Sequence, residues 1–445
     1  MTGLRPDEWL LSLAGNVRLV VPADIAGISS FVFLEQEDWF EDEAPFVRAL
    51  APHLRMALDI GANLGFYAAT LAAARVATLA FEPHPALADK LRRSATAMAG
   101  VQLTVFEVAL GAAPGEVEFG GHHFHEGSRI GAGGALRVQV QRLDDLLPAA
   151  YMPAVDFVKI DIEGAEVHAI AGAARFLSGG NPLVMIEIRD GTAWDFAALH
   201  ALEAHGYARY RLVPALGALV PMGDGPDSPD QLNAFAAKPA RAAMLAKAGL
   251  LCAAEPVDDA DAFAHHARAC DRARAPGQRY GDLLRAHALF EAMAPSLPRD
   301  LSLARVEADL GRRQRASGLL APHVPAALAG TLAVPDGPFL CPLPGYADRS
   351  SPMGRQAWLG ALVLESFHAF LAPSSLFADP AGREAALEFV LAAGLGTPET
   401  VRRLFLFRLA TGRKAATGPH PLLVDPGPGN LNAAFWRRTE LYGDG

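Results

Sequence analysis

An α/β fold, built on a doubly wound parallel sheet and followed by a mainly α-helical C-terminal domain, is predicted by three observations. Short apolar runs alternate with helical periods from residue 56 to about residue 206. A glycine-bearing turn at Asp59–Gly65 joins the first of those runs to a helix. After about residue 245 the alternation ends and helical patterning continues alone. Strand-helix alternation of this kind buries a parallel sheet between two layers of helices.

The elements follow in order. VRLVV and SSFVFLEQ read as a pair of short strands, and APFVRALAPHL as an amphipathic helix, so a hairpin and a helix precede the sheet. RMALDI, ATLAFE, VQLTVFEVAL, VDFVKIDI and PLVMIEI are short, strongly apolar and bounded by turn residues, as strands buried on both faces are. NLGFYAATLAAA, ALADKLRRSATAMA, AEVHAIAGAARFL and FAALHALEAHG read as the helices between them. The glycine-rich stretch from Gly115 to RVQVQ has little helical period and reads as a hairpin or loop excursion at the ligand edge of the sheet.

GDGPDSPD at 223–230 is rich in turn formers, and two domains are expected, 1–245 and 246–445. Residues 257–325 read as helical. Gly277, Gly311 and Ala316 fall at spacings that weakly resemble tetratricopeptide helix pairs, although Asp282 stands where the first copy needs alanine. Beyond residue 330, Pro/Gly loops mix with helices and no motif attaches to chemistry. The C-terminal helices are expected to serve recruitment of a protein partner or formation of a homo-oligomer.

Composition narrows the function. The chain has 445 residues, 51% of them apolar and 20% charged, with a net charge of −10. That acidity argues against general affinity for nucleic acid, which needs a basic surface. Cys252, Cys270 and Cys341 are scattered and odd in number, so neither a disulfide framework nor a zinc cluster is indicated. The N-terminus lacks the layout of a signal peptide. LGALVLESFHAFLA, the nearest approach to a membrane span, is broken by Glu365 and His368. A soluble cytoplasmic protein is expected.

The turn at 59–65 is the first chemical signal. A triphosphate loop would end in Gly-Lys-Ser/Thr, whereas Leu64-Gly65-Phe66 stands here. A dinucleotide fingerprint needs a second glycine at position 63, where Asn63 would obstruct a pyrophosphate. The remaining pattern, Asp-x-Gly-x-x-x-Gly, suits a ligand without phosphates. An aminoacyl tail can offer its ammonium to Asp59 and its carboxylate to N–H groups at the helix start. Glu82 ends the next strand, placed to accept both hydroxyls of a ribose. Together these residues point to S-adenosylmethionine as cofactor. The bland alternative is a tight turn beside a solvated strand end.

Asp161 ends another strand of the same sheet, so it shares the ligand edge with Asp59. A carboxylate buried there needs a partner, and a sulfonium or an acceptor hydroxyl would serve. Asp161 is the first candidate for base or orienter, and Glu163 the second. Glu166 is expected to support the helix N-terminus. The Asn/Asp-Pro-Pro-aromatic motif of base-nitrogen methyltransferases is absent after this strand, where Asp161-Ile162-Glu163-Gly164 stands.

DIGANLGFYAATLA, FEPHPALADKLRRS, RLDDLL and VDFVKIDIEGAEVHAI, in that order, resemble the FkbM family of S-adenosylmethionine-dependent methyltransferases over roughly residues 30–240. The resemblance implies a class I methyltransferase sheet acting on hydroxyl oxygens of sugars, glycans or secondary metabolites. By position it assigns Asp59, Gly61, Asn63 and Gly65 to the methionine-side turn, Glu82 to the ribose, and Ala109 and Leu110 to the adenine. Asp161 then begins the loop facing the methyl group. Members often carry histidine near the end of the fifth strand, where this chain has Arg189.

HHFHE (His122, His123, His125, Glu126) is the remaining cluster. It reads as a glycine-flanked acceptor loop, as the source of a histidine base with His125 the candidate, or as ligands to a divalent metal with Asp161. No metal is expected. Two other functions compete with methyl transfer: a non-catalytic assembly protein that retains a cofactor pocket, and a nicotinamide oxidoreductase, which Asn63 disfavours.

Overall fold

The five apolar runs expected as buried strands supply five adjacent strands of an eight-stranded sheet, four of them inside it and the one from VQLTVFEVAL at its edge, where it is only partly buried. The structure, a computed structural model, describes residues 4–120, 129–130, 136–190, 193–347, 349–413, 418–425, 427, 431–439 and 441–443. The chain opens with an antiparallel hairpin of β1 (Glu8–Leu13) and β2 (Val17–Pro22), then α1 (Ile28–Gln36) and α2 (Glu43–Leu50). The sheet begins with β3 (Met56–Ile60), α3 (Phe66–Ala73), β4 (Ala77–Phe81), α4 (Pro85–Ala97) and β5 (Leu103–Phe106).

An excursion follows, with β6 (Ala109–Leu110), β7 (Gly115–Gly120), β8 (Arg129–Ile130) and β9 (Leu136–Gln141) forming their own four-stranded sheet. The chain returns through α5 (Leu143–Leu146) to β10 (Val155–Ile160), α6 (Glu166–Gly172), α7 (Ala174–Gly179) and β11 (Leu183–Glu187). A short pair, β12 (Arg189–Asp190) and β13 (Ala193–Trp194), leads to α8 (Ala197–Glu203). The strands β14 (Ala208–Val213), β15 (Ala218–Pro221) and β16 (Asn233–Ala237) complete the sheet.

The sheet order is β15-β14-β16-β11-β10-β3-β4-β5. The strands from β11 to β5 are mutually parallel, and β16 is antiparallel to both of its neighbours. Strand order reverses between β3 and β10, and in sheets of this kind ligands bind at the strand ends beside such a reversal. Asp59 and Asp161 therefore end up side by side.

Two expectations need correction. SSFVFLEQ is not a strand but the body of α1, and the N-terminal hairpin uses Glu8–Leu13 instead. Ser29 through Glu35 are all buried in α1. A helix covered on every side shows no 3.6-residue period and reads like a strand. The second half of VQLTVFEVAL likewise leaves the main sheet, because β6 pairs with β9.

The C-terminal region is largely helical. Its first helix, α9 (Pro239–Lys247), runs through the expected boundary at 245. It is followed by α10 (Ala262–Cys270), α11 (Pro276–Glu291), α12 (Leu297–Asp309) and α13 (Arg313–Leu320), packed consecutively. Then come α14 (Val324–Leu328), α15 (Arg355–Leu371), α16 (Pro380–Ala392) and α17 (Pro398–Ala410). Asp282, at the position where a tetratricopeptide wants alanine, is fully buried and bonds His265 Nδ1 at 2.6 Å, Arg268 Nε at 3.0 Å and Arg274 Nη2 at 3.1 Å. A hydrogen-bonded ion cluster thus sits between the packed helices α10 and α11.

One hydrophobic core joins the two halves, since Leu11, Leu19 and Phe31 share it with Phe405 and Trp436. Asn432 adds a reciprocal pair, its Oδ1 accepting from Ser12 N at 2.8 Å and its Nδ2 donating to Ser12 O at 2.9 Å. Among the described residues, no helix is long and apolar enough to cross a membrane.

Candidate active site

A cavity of about 340 Å³ opens at the carboxyl edge of β3, β4 and β10, where the sheet order reverses. Asp59, at the end of β3, is almost wholly buried. Its Oδ2 accepts from Ala68 N in α3 at 2.8 Å, and its Oδ1 has no hydrogen-bond partner among the described residues. Burial pushes its pKa up, against the pull of the Lys159 charge. An unpaired buried carboxylate oxygen is costly unless a ligand completes it.

Two glycines of the turn serve close approach. Gly61 has φ +81°, and a Cβ there would lie 1.8 Å from Asp161 O, so the loops after β3 and β10 touch through it. Gly65 has φ +88°, and its Cβ would lie 2.0 Å from Leu91 Cδ1. The second glycine therefore also lets α3 and α4 pack. Asn63, itself at φ 51°, donates its N–H to Glu82 Oε2 at 2.8 Å.

Glu82 follows β4 and is buried. His84 N donates to its other oxygen at 2.8 Å, which leaves each oxygen a further lone pair. Burial pushes its pKa up to about 7, opposed by the His84 and Asn63 hydrogen bonds. Ala109 and Leu110 line the same cavity. Their short strand β6 is tied to the excursion sheet, where Ala109 packs with Val138 and Val140, while Leu110 packs into the core of the main sheet with Leu58, Ile60 and Phe81.

Past the end of β10, Asp161 Oδ2 accepts from Lys159 Nζ at 2.7 Å. The two residues are two apart in a strand direction, and so on one face. Burial raises the Asp161 carboxyl, but the Lys159 charge and hydrogen bond outweigh it and hold the pKa below the usual range. Burial opposes the Lys159 charge in turn, and Asp161, Asp59 and Glu41 override it, so Lys159 stays an ammonium. Glu187, at the end of β11, is pushed up to about 10, first by burial and then by the Asp161 charge beside it. It is a neutral acid near pH 7.

Carboxylate oxygens of Asp161, Glu163 and Glu187 lie within 4.8 Å of one another. Such a set could hold a hard divalent cation, but the Lys159 ammonium already supplies a counter-charge to Asp161. Glu166 Oε1 accepts from Ile162 N at 3.0 Å and Gly164 N at 3.2 Å, and so braces the loop that presents Asp161 and Glu163.

Tyr67 and Glu41 close another wall, with Tyr67 Oη donating to Glu41 Oε2 at 2.5 Å. Burial raises both groups. Lys159 Nζ lies 5.3 Å from the centre of the Tyr67 ring.

The structure brings Asp59, Gly61, Asn63, Gly65, Glu82, Ala109, Leu110, Asp161 and Glu163 into one cavity. His125, with His122 and His123, lies outside the described residues. Arg189 is placed over the Trp194 ring, 5.3 Å from its centre. Lys159, Glu187 and Glu41 were not anticipated. Lys159 carried a signal, because a lysine in the buried run VDFVKI needs an anion on its own face. Glu187 obeys the strand-end rule that found Asp59 and Asp161. Glu41 carried none, lying in an acidic run that reads as a solvated surface.

Residues 59–209 match the methyltransferase FkbM domain. Hexuronic acid methyltransferase AglP of Haloferax volcanii is 24% identical over 201 residues, covering 41% of this chain and 80% of that protein. The crystal structure of methyltransferase FkbM from Methylobacillus flagellatus KT aligns at 20% identity with a TM-score of 0.30. That alignment covers 41% of this chain and 43% of the other, so the chain spans less than half of that protein. Residues 59–209 are therefore a methyltransferase FkbM domain, and methyltransferases of that kind use S-adenosylmethionine.

Proposed function

We propose that the chain transfers the methyl group of S-adenosylmethionine to a hydroxyl oxygen of a sugar or glycan. One observation carries the reading: the Asp161 carboxylate, held ionised by Lys159, faces the same cavity as Asp59 and Glu82. The cavity residues fit the cofactor. Asp59 Oδ1 lacks a partner that an ammonium would supply, and Glu82 retains acceptor capacity for two ribose hydroxyls. Gly61 keeps the floor between the two loops free of a side chain.

When bound, S-adenosylmethionine supplies an electrophilic methyl carbon on a sulfonium. Asp161 accepts the hydrogen bond of the acceptor hydroxyl and orients its oxygen for in-line attack. The Asp161 carboxylate would also receive the proton that the hydroxyl releases on methylation. Lys159 and the neutral Glu187 both stabilise that carboxylate and so lower its basicity. Its main contribution is therefore position, and proton removal runs late.

A relative named for a hexuronic acid acceptor supports a sugar here. The excess of acids around the cavity, set against Lys159 as the one basic side chain among its described lining residues, favours a neutral hydroxyl over an anionic acceptor. Mass spectrometry of glycans and small metabolites from cells with and without the gene tests this reading. The expected result is a sugar-containing product that loses one CH₂ when the gene is removed. A methyl increment lost only from proteins or nucleic acids would refute it.

A further inference from the structure

Phe377 lines the cavity from far outside the matched residues. It ends the single 3₁₀ turn Ser375–Phe377 and is 45% exposed. Its ring meets Phe40 edge-on, with centroids 5.8 Å apart. Phe40 in turn lies 4.7 Å from Trp39, and Trp39 lies 5.3 Å from Phe33 on α1. All four rings line the same cavity, and Glu41 adds its carboxyl next to Phe40. Aromatic faces with a few placed polar groups, where two parts of a chain meet, are the usual make-up of a ligand site.

The turn that carries Phe377 is held in place. Glu35 of α1 is fully buried and accepts from Ser374 Oγ at 2.6 Å, from Ser375 N at 3.0 Å and from Ser375 Oγ. Arg403 Nε of α17 lies 3.8 Å from it. Burying a carboxylate is costly unless it is paired and hydrogen-bonded, so these partners make Glu35 a clamp and not an accident of packing. The same helix sends Ile28, Ser29 and Phe33 into the cavity. The clamp thus ties the C-terminal turn to a wall of the site.

We propose that Phe377 and Phe40 seat the sugar ring of the methyl acceptor, so that the helical C-terminal region completes the acceptor site, with Glu35 as a positioning residue. The inference rests on the sugar acceptor proposed above. The C–H face of a pyranose is apolar and lies against an aromatic ring, while its hydroxyls donate to carboxylates. Glu41 and Asp161 offer such acceptors in the same cavity.

The test uses the full chain, with methyl glucoside as the probe in saturation-transfer NMR and calorimetry for S-adenosylmethionine. Phe377→Ala should abolish most of the glucoside signal while the cofactor Kd stays unchanged. With the glycan acceptor, KM should rise about 3- to 10-fold, with kcat changed by less than about twofold. Phe377→Trp should restore binding, and Glu35→Gln should shift KM in the same direction as Phe377→Ala. Unchanged acceptor binding and KM in Phe377→Ala would overturn the inference, as would a weakened cofactor Kd, which would place the ring on the cofactor. A wild-type chain that gives no glucoside signal removes the sugar as occupant. Failure of the parent reading looks different: there the wild-type chain methylates no sugar at all.

Discussion

Lys159 Nζ and Asp161 Oδ2 lie 2.7 Å apart at the end of the central strand β10, with the neutral acid Glu187 beside them. Asp161 is thereby ionised but weakly basic, and in the proposed reaction its contribution is to position the acceptor hydroxyl. Asp161→Asn should therefore keep more activity than Asp161→Ala, since the amide still hydrogen-bonds. The Ala variant should fall toward the about 10²- to 10⁴-fold loss typical of a removed acid–base group. Equal losses in the two variants, measured as kcat at saturating cofactor, would instead make Asp161 a true base.

Glu82 predicts a pH dependence of cofactor binding. Burial pushes its carboxyl up from an ordinary value of 4.5 to about 7. Ribose hydroxyls donate to the ionised form, so binding should expel a proton, and affinity should rise with pH up to about 7 and then level off. The stability sign is opposite: the folded state holds the proton more tightly, so stability from this group declines as pH rises from the unfolded value through about 7. Calorimetric Kd values from pH 5.5 to 8.5 check the first, and Glu82→Gln should flatten the curve. A flat wild-type curve would show that Glu82 does not hold the ribose.

Gly61 and Gly164 make a matched pair. Both have positive φ, so alanine costs about 1–2 kcal/mol of strain at either. Only at Gly61 would the new Cβ strike Asp161 O, whereas at Gly164 nothing lies within 4 Å. Gly61→Ala should lower both melting temperature and cofactor affinity, and Gly164→Ala melting temperature alone. Thermal unfolding with and without cofactor separates them.

Much of this site could be read from residues 59–161, because chemistry there obeys strand geometry. Acids at strand ends must share one sheet edge, so the sequence alone places Asp59, Glu82 and Asp161 together. Glycine at 61 and 65 marked a close approach, although Leu91 as the neighbour of Gly65 depends on how α3 and α4 cross. What resisted was long-range. α1 is buried all round and mimics a strand, and Phe377 lies over three hundred residues from Phe40 in the chain, with no local pattern to join them. The shared core of Leu11, Phe405 and Trp436 is of the same kind. Periodicity shows that each segment has a buried face and is silent about which face meets it.

That shared core predicts the outcome of truncation. A chain ending at residue 245 would cut α9 and expose the surfaces that Phe405 and Trp436 cover. It should be insoluble or lack a cooperative melting transition, while the full chain shows one. A soluble, cofactor-binding 1–245 fragment would mean that the N-terminal half folds by itself.

Metal dependence is checked by chelation. Lys159 supplies the charge that a cation would bring to Asp161, so activity should survive exhaustive EDTA treatment. Loss of activity that a single divalent ion restores would assign Asp161, Glu163 and Glu187 as its ligands.

The central claim is transfer of a methyl group to a sugar hydroxyl, and NMR of the product tests it most directly. Purified full-length protein is incubated with methyl-¹³C S-adenosylmethionine and a glycan fraction from cells lacking the gene. The predicted result is a ¹³C methyl ether, correlated through its oxygen to a ring carbon of one sugar, and absent with Asp161→Ala. A labelled methyl found on nitrogen, on sulfur or on a carboxyl ester would contradict it.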